Sequence, residues 1–424
     1  MTRNEKDSEE QGFSEDCLVL KVQVKKTVLE NKEKLPVLFY IHGGGFNGGS
    51  GQLDSSKAVN YQGVTVVSVN YRLGPFGFLY LNQPEDGQDF QGNWGLLDQQ
   101  AGMKWVHMFA GLFGGDKDSV TINGASAGSE SVWRHFTMPS SWPYFTRVAP
   151  TGIGLVAGSK SAGKKTKKLT DATFKEAGCA ADDLACLRAV SVADLKAAVG
   201  KAENVGRNDN TAMVLNSAFA PVHTSDMFES TLFDDIYEGR FKPNTDILWA
   251  YTQWEAFGMS NGFIGGSVRP GGLLEEYRKD FTDAKTATGH KVPYPYPHYI
   301  YEKLFGADQD LLAEVLDVFG CTEGEDCEDQ LARFCVATQF ACSGKYAMDN
   351  NFMGQRADVG NYYPVQYEEG NCAKDEATGK LKQRLVYFRS TYGNFLRKLF
   401  FYFRRTHKGV SRCRRWCHPW CRCH

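Results

Sequence analysis

A serine between small residues is the first group in this sequence whose surroundings suit chemistry. Ser126 lies in the segment 124–128, which has the pattern G-x-S-x-G. The strand-like run 119–122 precedes it, and helical sequence begins directly afterwards with 129–133. A strand, a tight turn and a helix in this order lift a serine hydroxyl above the edge of a sheet, and small neighbours let the backbones approach. We therefore predict that Ser126 is a nucleophile.

A run of glycines upstream offers the complementary chemistry. Residues 42–45 read H-G-G-G and follow the apolar run 35–41. Consecutive glycines can turn neighbouring backbone N–H groups toward one point, as an oxyanion hole requires, and each such donor is worth about 10²–10³ in rate. A flexible glycine turn is the alternative. Because both motifs occur, in this order and each after a strand, we predict an oxyanion loop.

The rest of the pattern predicts the elements that position these motifs. Alternating and continuous apolar runs are typical of sheet strands, and apolar residues at helical spacing between 91 and 113 indicate a helix. Strand, helix, strand in succession predicts an α/β fold with a mostly parallel sheet. A lysine cluster at 164–168 is interpreted as a solvated loop. The predicted strands cover residues 18–24, 35–41, 64–69, 119–122, 246–251 and 361–367.

Seven short motifs together resemble the type B carboxylesterase and cholinesterase family of α/β-hydrolases. The similarity is dense over 13–140 and diffuse from there to about 370. It implies an α/β-hydrolase fold, with helices flanking a central sheet that is incomplete at the N-terminus and divergent at the C-terminus. The motifs occupy residues 14–18, 42–46, 69–74, 77–79, 92–99, 113–116 and 124–128.

The resemblance implies a role for each matching residue. Ser126 corresponds to the family nucleophile, and the backbone N–H groups of Gly44, Gly45 and Ala127 correspond to the oxyanion donors. Ala125 stands where the family usually has Glu. An auxiliary electrostatic contribution is therefore expected to be lost without abolishing the chemistry.

The remaining two members of a catalytic triad are less well matched. Glu255 lies in a segment similar to the family pattern G-x-x-x-D-E-G and would orient the imidazole, although an ordinary acid at a helix start is the alternative. The family histidine lies in a G-x-x-H motif after a strand like 361–367, and no such motif follows here. His407 is the candidate that we consider in its place.

A missing base has a quantitative consequence. In serine hydrolases its loss lowers turnover by about 10⁶, leaving about 10³–10⁴ over water from oxyanion stabilisation and binding. The sequence thus predicts a serine carboxylic-ester hydrolase whose activity is weak or absent, because the family histidine is not found. The alternative is a non-catalytic binding protein, similar to the adhesion members of the same family.

The chain has twelve cysteines, a high number for a reduced cytosolic enzyme. The resemblance implies a disulfide between Cys179 and Cys186. Histidines and cysteines also crowd into 413–424, but their spacing matches no paired zinc motif, so we expect no metal and no cofactor. Four further cysteines permit two bridges in three connectivities: Cys321, Cys327, Cys335 and Cys342.

Charge divides the chain into two unlike parts. Residues 380–424 hold thirteen Lys or Arg and no acid, which leaves 35 basic and 50 acidic side chains in 1–379, a net charge of −15. We therefore predict a hydrolase domain over 1–379 and, over 380–424, a basic tail rich in aromatic residues and cysteine. The domain is expected to act on a small carboxylic ester and to bind neither nucleic acid nor membrane. An alternative for the tail is that it binds an anionic surface, because it combines many cations with aromatic residues.

The start of the chain has no signal-peptide pattern, and no run of about 18 apolar residues occurs. The cysteine content and the family resemblance nevertheless favour a secreted or extracellular location for a complete form.

Overall fold

Seven strands form one sheet in the computed structural model, which describes residues 16–81, 92–152, 160–206, 219–222, 227–228, 230–252, 274–277, 279, 292–337 and 362–367. The strand order is β1-β3-β2-β4-β5-β6-β7, and β1 alone runs antiparallel to its neighbour. The strands are β1 Leu20–Gln23, β2 Leu35–Ile41, β3 Thr65–Val69, β4 Gly115–Ala125, β5 Arg147–Thr151, β6 Asp246–Thr252 and β7 Tyr362–Tyr367.

Twelve α-helices surround this sheet within the described residues. They are α1 Lys26–Asn31, α2 Ser56–Gln62, α3 Gly74–Phe78, α4 Trp94–Phe109, α5 Ala127–Phe136, α6 Lys160–Glu176, α7 Leu184–Ala189, α8 Val192–Gly206, α9 Leu232–Glu238, α10 Tyr296–Phe305, α11 Gln309–Phe319 and α12 Glu328–Cys335. Short 3₁₀ turns cover Ala110–Phe113, Pro139–Tyr144 and Glu275–Tyr277. No helix among the described residues is both long and apolar enough to cross a membrane.

Helix α4 shows how the apolar pattern fixes the packing on the sheet. Leu96, Met103 and Val106 recur at helical spacing and are fully buried. Gly102 makes the approach close, because a Cβ there would lie 3.0 Å from Val69 Cγ2. Strand β3 is buried along its whole length, as a continuous apolar run predicts for a strand covered on both faces. The predicted mostly parallel sheet flanked by helices is therefore confirmed.

Two predictions about local structure were wrong. Strand β5 was not expected, because its five residues include Arg147 and Pro150 and make no long apolar run. The lysine cluster 164–168 is not a loop but lies inside α6. That helix is stabilised by a buried face at i, i+3, i+4, i+7 and i+8, which comprises Thr166, Leu169, Thr170, Thr173 and Phe174.

The parallel strands bring the two predicted motifs to one edge of the sheet. Ile41, the last residue of β2, pairs with Gly124 in the neighbouring strand β4. The glycine loop after β2 and Ser126 after β4 are therefore adjacent. Strands β5 and β6 end at the same edge, with Thr151 paired to Ala250. The predicted boundary between 1–379 and 380–424 lies outside the described residues.

Candidate active site

Ser126 occupies a strained turn between β4 and α5. Its backbone has φ 57° and ψ −123°, a sparsely populated combination for any residue but glycine. Such a conformation costs of order 1–3 kcal/mol and persists only where the surroundings impose it. Its N–H donates to Thr151 O at 3.1 Å, and its carbonyl accepts from Glu130 N–H at 3.1 Å. The turn leaves Ser126 exposed at the N-terminus of α5, while the following Ala127 is buried.

Glycines on either side of this turn allow it to lie against the sheet. A Cβ on Gly128 would be 2.1 Å from Ile41 O, and a Cβ on Gly124 would be 2.5 Å from the Gly128 carbonyl. Neither contact is compatible with a side chain. The small residues of the G-x-S-x-G pattern are thus required by packing against β2.

The oxyanion loop has the backbone that only glycine adopts readily. Gly44 has φ 116° and Gly45 has φ 61°. The Gly44 carbonyl accepts hydrogen bonds from the Asn47 and Gly48 N–H groups, at 3.2 and 3.0 Å. The Asn47 side-chain amide donates to Gly45 O at 3.0 Å. Because these carbonyls are held inside the loop, its backbone conformation is fixed.

The loop lies directly against Ser126. A Cβ built on Gly43 would be 3.1 Å from Ser126 Cβ and 2.5 Å from Ala125 O. The structure therefore places Gly43, the residue before Gly44 and Gly45, against the turn that carries Ser126. The acid Glu255 lies outside the described residues, three positions after the end of β6.

His42, at the start of the loop, is held by a hydrogen bond and by ring stacking. The Tyr71 hydroxyl donates to His42 O at 2.7 Å, and the two rings stack with centroids 4.4 Å apart. His42 Nδ1 lies 2.8 Å from Gly43 O. Burial lowers the pKa of His42, so the ring is neutral near pH 7. These contacts give His42 a structural role.

The structure describes four of the nine histidines: His42, His107, His135 and His298. Both ring nitrogens of His135 are hydrogen-bonded inside the protein, and burial lowers its pKa to about 3. His107 packs edge-on against Tyr144 with centroids 5.8 Å apart. His298 lies in α10 beside Cys321. No histidine among these four is hydrogen-bonded to Ser126, and His407 lies outside the described residues.

A bidentate ion pair supports the site and was not predicted from the sequence. Arg72 Nε and Nη2 each lie 2.8 Å from an oxygen of Asp98, which also accepts from the Arg72 N–H at 2.9 Å. The pair joins the chain after β3 to α4, next to Tyr71. The signal was present, because the motif segments 69–74 and 92–99 contain both partners, but their spacing does not reveal the contact.

A second unpredicted feature is a buried charge pair within α5. Arg134 Nη2 lies 3.6 Å from Glu130 Oε1, and both side chains are almost fully buried. Burial raises the pKa of Glu130, and the nearby guanidinium partly opposes this shift. Arg134 also lies over the Phe228 ring, 5.1 Å from its centroid. The nucleophile helix therefore carries its charges on the face that is packed into the protein.

Disulfides close two short loops. One joins Cys179 to Cys186 and the other joins Cys321 to Cys327. The second selects a pairing that the sequence left open, and Cys342 lies outside the described residues. Among the described residues no three His, Cys, Asp or Glu side chains converge as metal ligands would.

Similarity to known proteins agrees with this geometry. The chain is 46% identical over 138 residues to acetylcholinesterase 1 of Caenorhabditis elegans, covering 32% of this chain and 22% of that protein. It is 39% identical over 186 residues to para-nitrobenzyl esterase of Bacillus subtilis, covering 43% and 36%. The matched segments thus span well under half of these relatives.

The solved structure of a PNB esterase superposes with a TM-score of 0.60 at 24% identity, covering 84% of this chain and 65% of that one. This likeness shows the α/β-hydrolase fold. The model of the carboxylesterase family matches residues 1–342, which include the oxyanion loop, the Ser126 turn and both disulfides. The chain therefore belongs to the carboxylesterase family.

Proposed function

We propose that this protein hydrolyses small carboxylic esters through an acyl-enzyme on Ser126. The observation that carries the proposal is the contact between Gly43 and Ser126, which sets the oxyanion loop against the nucleophile. Backbone N–H groups of Gly44, Gly45 and Ala127 would hold the oxygen that becomes negative. Donors fixed before the reaction act without reorganisation and in a partly dehydrated site, so they lower the barrier strongly.

The reaction proceeds in two halves. Ser126 Oγ attacks the ester carbonyl carbon as its proton passes to a base; the tetrahedral oxyanion then collapses, the bond to the leaving oxygen breaks, and that oxygen takes the proton and departs as the alcohol. Water attacks the resulting acyl-enzyme and releases the acid, which regenerates the hydroxyl. The similarity to an acetylcholinesterase and a para-nitrobenzyl esterase supports an ester substrate.

The residues for proton transfer are the least well matched part of the proposed site. We assign the acid to Glu255, because β6 ends at Thr252 on the edge where β4 also ends, with only β5 between them. No base is assigned, and His407 is a candidate by its late position in the chain alone. If His407 does not reach Ser126, turnover falls toward the level that oxyanion stabilisation and binding sustain.

Covalent labelling tests the nucleophile without requiring complete turnover. The full chain is treated with a fluorophosphonate, and the modified peptide is identified by mass spectrometry. We expect phosphonylation at Ser126, none in Ser126→Ala, and unchanged labelling in Ser140→Ala, which removes another exposed serine. An unlabelled Ser126 in folded protein would contradict the proposal.

The second candidate is a non-catalytic binding protein. It is favoured by one observation, that the sequence after β7 lacks a G-x-x-H motif. In that case the folded chain would neither react with fluorophosphonate nor release nitrophenol from a p-nitrophenyl ester. Labelling of Ser126 together with measurable hydrolysis would exclude this candidate.

A further inference from the structure

Four buried side chains form a hydrogen-bond chain that ends on the residue after the nucleophile. Gln99 comes from α4, Ser131 and His135 from α5, and Ser141 from the 3₁₀ turn that follows. His135 Nδ1 lies 2.9 Å from Ser141 Oγ, and His135 Nε2 lies 2.9 Å from Gln99 Oε1. Gln99 Nε2 donates to Ser131 Oγ at 3.0 Å. Ser131 Oγ in turn donates to the carbonyl of Ala127 at 3.0 Å.

The chemistry of these groups sets the direction of every bond. An amide oxygen only accepts, so His135 Nε2 carries the proton and Nδ1 accepts from the Ser141 hydroxyl. The Gln99 amide nitrogen only donates, which leaves the Ser131 hydroxyl proton for Ala127 O. The first hydrogen bond of the series comes from Gln100 Nε2, which donates to Ser141 Oγ at 3.0 Å. Bonds aligned in this way polarise one another.

Burial makes this chain rigid. The side chains of Gln99, Ser131, His135 and Ser141 are all 0% exposed. A buried polar group that loses its partner forfeits its hydration without compensation, so the low-energy arrangement is the one in which every bond is made. The chain therefore links α4, α5 and the 3₁₀ turn in one fixed geometry.

The hydrogen-bond chain ends on a residue that has a part in the proposed reaction. Ala127 is the first residue of α5, and its N–H is the proposed oxyanion donor on the side of Ser126. Helix α4 is also connected to the glycine loop on the other side of the site. Its Asp98 binds Arg72, and the adjacent Tyr71 donates a hydrogen bond to the His42 carbonyl. Asp98 and Gln99 thus connect the same helix to both halves of the oxyanion hole.

We propose that Gln99, Ser131, His135 and Ser141 are positioning residues that hold Ala127, and with it the oxyanion donor, in its reactive place. This inference rests on the proposed function of Ser126. The residues touch no substrate and act only through the backbone of Ala127.

The test compares two hydroxyl deletions on the same helix region. Ser131→Ala removes the hydroxyl that bonds Ala127, whereas Thr137→Val removes a hydroxyl that bonds the carbonyl of Arg134 at the other end of α5. Labelling of Ser126 is followed over a range of fluorophosphonate concentrations. For Ser131→Ala we expect the maximal labelling rate to fall about 10-fold, a fraction of the effect of losing an oxyanion donor. The half-saturating concentration should change less than 2-fold, and Thr137→Val should leave both values within 2-fold.

A second variant and a spectroscopic readout keep the outcomes distinct. Ser131→Cys keeps a hydrogen-bond donor at this position, although the thiol is larger and donates more weakly, and its rate should lie between wild type and Ser131→Ala. In ¹⁵N-histidine NMR spectra of the full chain at pH 7, His135 should be the neutral tautomer with its proton on Nε2. Equal labelling rates for all variants, or a proton on Nδ1, would overturn this inference alone. An unlabelled wild type would overturn the proposed function itself and the inference with it.

Discussion

Gly128 lies directly under the end of strand β2, at a distance that no side chain fits: a Cβ on Gly128 would be 2.1 Å from the carbonyl oxygen of Ile41. This contact joins the start of the nucleophile helix to the strand that carries the oxyanion loop. The relative position of Ser126 and residues 43–45 therefore depends on the absence of one methyl group.

Gly128→Ala should separate the two halves of the site. The added methyl must displace either α5 or β2, and overpacking of this kind costs about 1–3 kcal/mol. We expect a lower free energy of unfolding in urea and loss of fluorophosphonate labelling at Ser126. Gly200→Ala is the matched control, because nothing lies within 4 Å of its Cβ position and it stands in helix α8. That variant should be as stable as wild type or more stable by up to about 1 kcal/mol.

Tyr71→Phe tests the support of the oxyanion loop. The change keeps the ring stacked on His42 but removes the hydroxyl that donates to His42 O at 2.7 Å. Tyr71 is 2% exposed, so the carbonyl loses a buried partner and we expect a loss of about 1–2 kcal/mol in stability. Labelling of Ser126 should slow as the loop relaxes. Tyr61→Phe, at a residue that is 87% exposed, should change neither quantity measurably; equal effects of the two variants would remove Tyr71 from this role.

The sequence predicts this site where signals are local, and fails where they are not. Strand β2 was predicted with its observed bounds because its apolar run is continuous, and the turn at Ser126 was predicted because strand and helix adjoin there in sequence. Strand β5 was missed because Pro150 interrupts it. The contact between Gln99 and Ser131 joins residues 32 positions apart, and no spacing rule predicts such a contact.

His135 should make stability depend on pH. Burial lowers the pKa of His135 from 6.5 to about 3. Between these two pH values the imidazole is therefore protonated in the unfolded chain but neutral in the folded chain. Stability contributed by this residue is therefore complete above pH 6.5 and is lost as the pH falls toward 3, at up to about 1.4 kcal/mol per pH unit.

Urea unfolding of wild type and His135→Gln at pH 7.5 and 5.5 measures this difference. Glutamine has a similar reach but does not titrate, so the variant is expected to start less stable and to lose about 1 kcal/mol less on acidification. Identical pH dependence in both proteins would mean that His135 takes up a proton in the folded state.

Ser126→Gly should stabilise the protein while it removes the proposed nucleophile. The φ of 57° and ψ of −123° at this position strain serine by about 1–3 kcal/mol, whereas glycine adopts them readily. The greater flexibility of glycine in the unfolded chain offsets about 0.5–1 kcal/mol of that gain. We therefore expect Ser126→Gly to exceed wild type by about 1 kcal/mol in urea unfolding, and Ser126→Ala, which keeps the strain, to show no such gain.

Ser140→Gly provides the contrast, because Ser140 has no positive φ and stands in a 3₁₀ turn. There the same replacement relieves no strain and should destabilise by about 0.5–1 kcal/mol. Opposite signs at the two serines would show that strain is concentrated at the turn where the attack is proposed to occur. A destabilising effect at both positions would mean that the Ser126 turn is held without strain, and that its exposure at the head of α5 depends on packing alone.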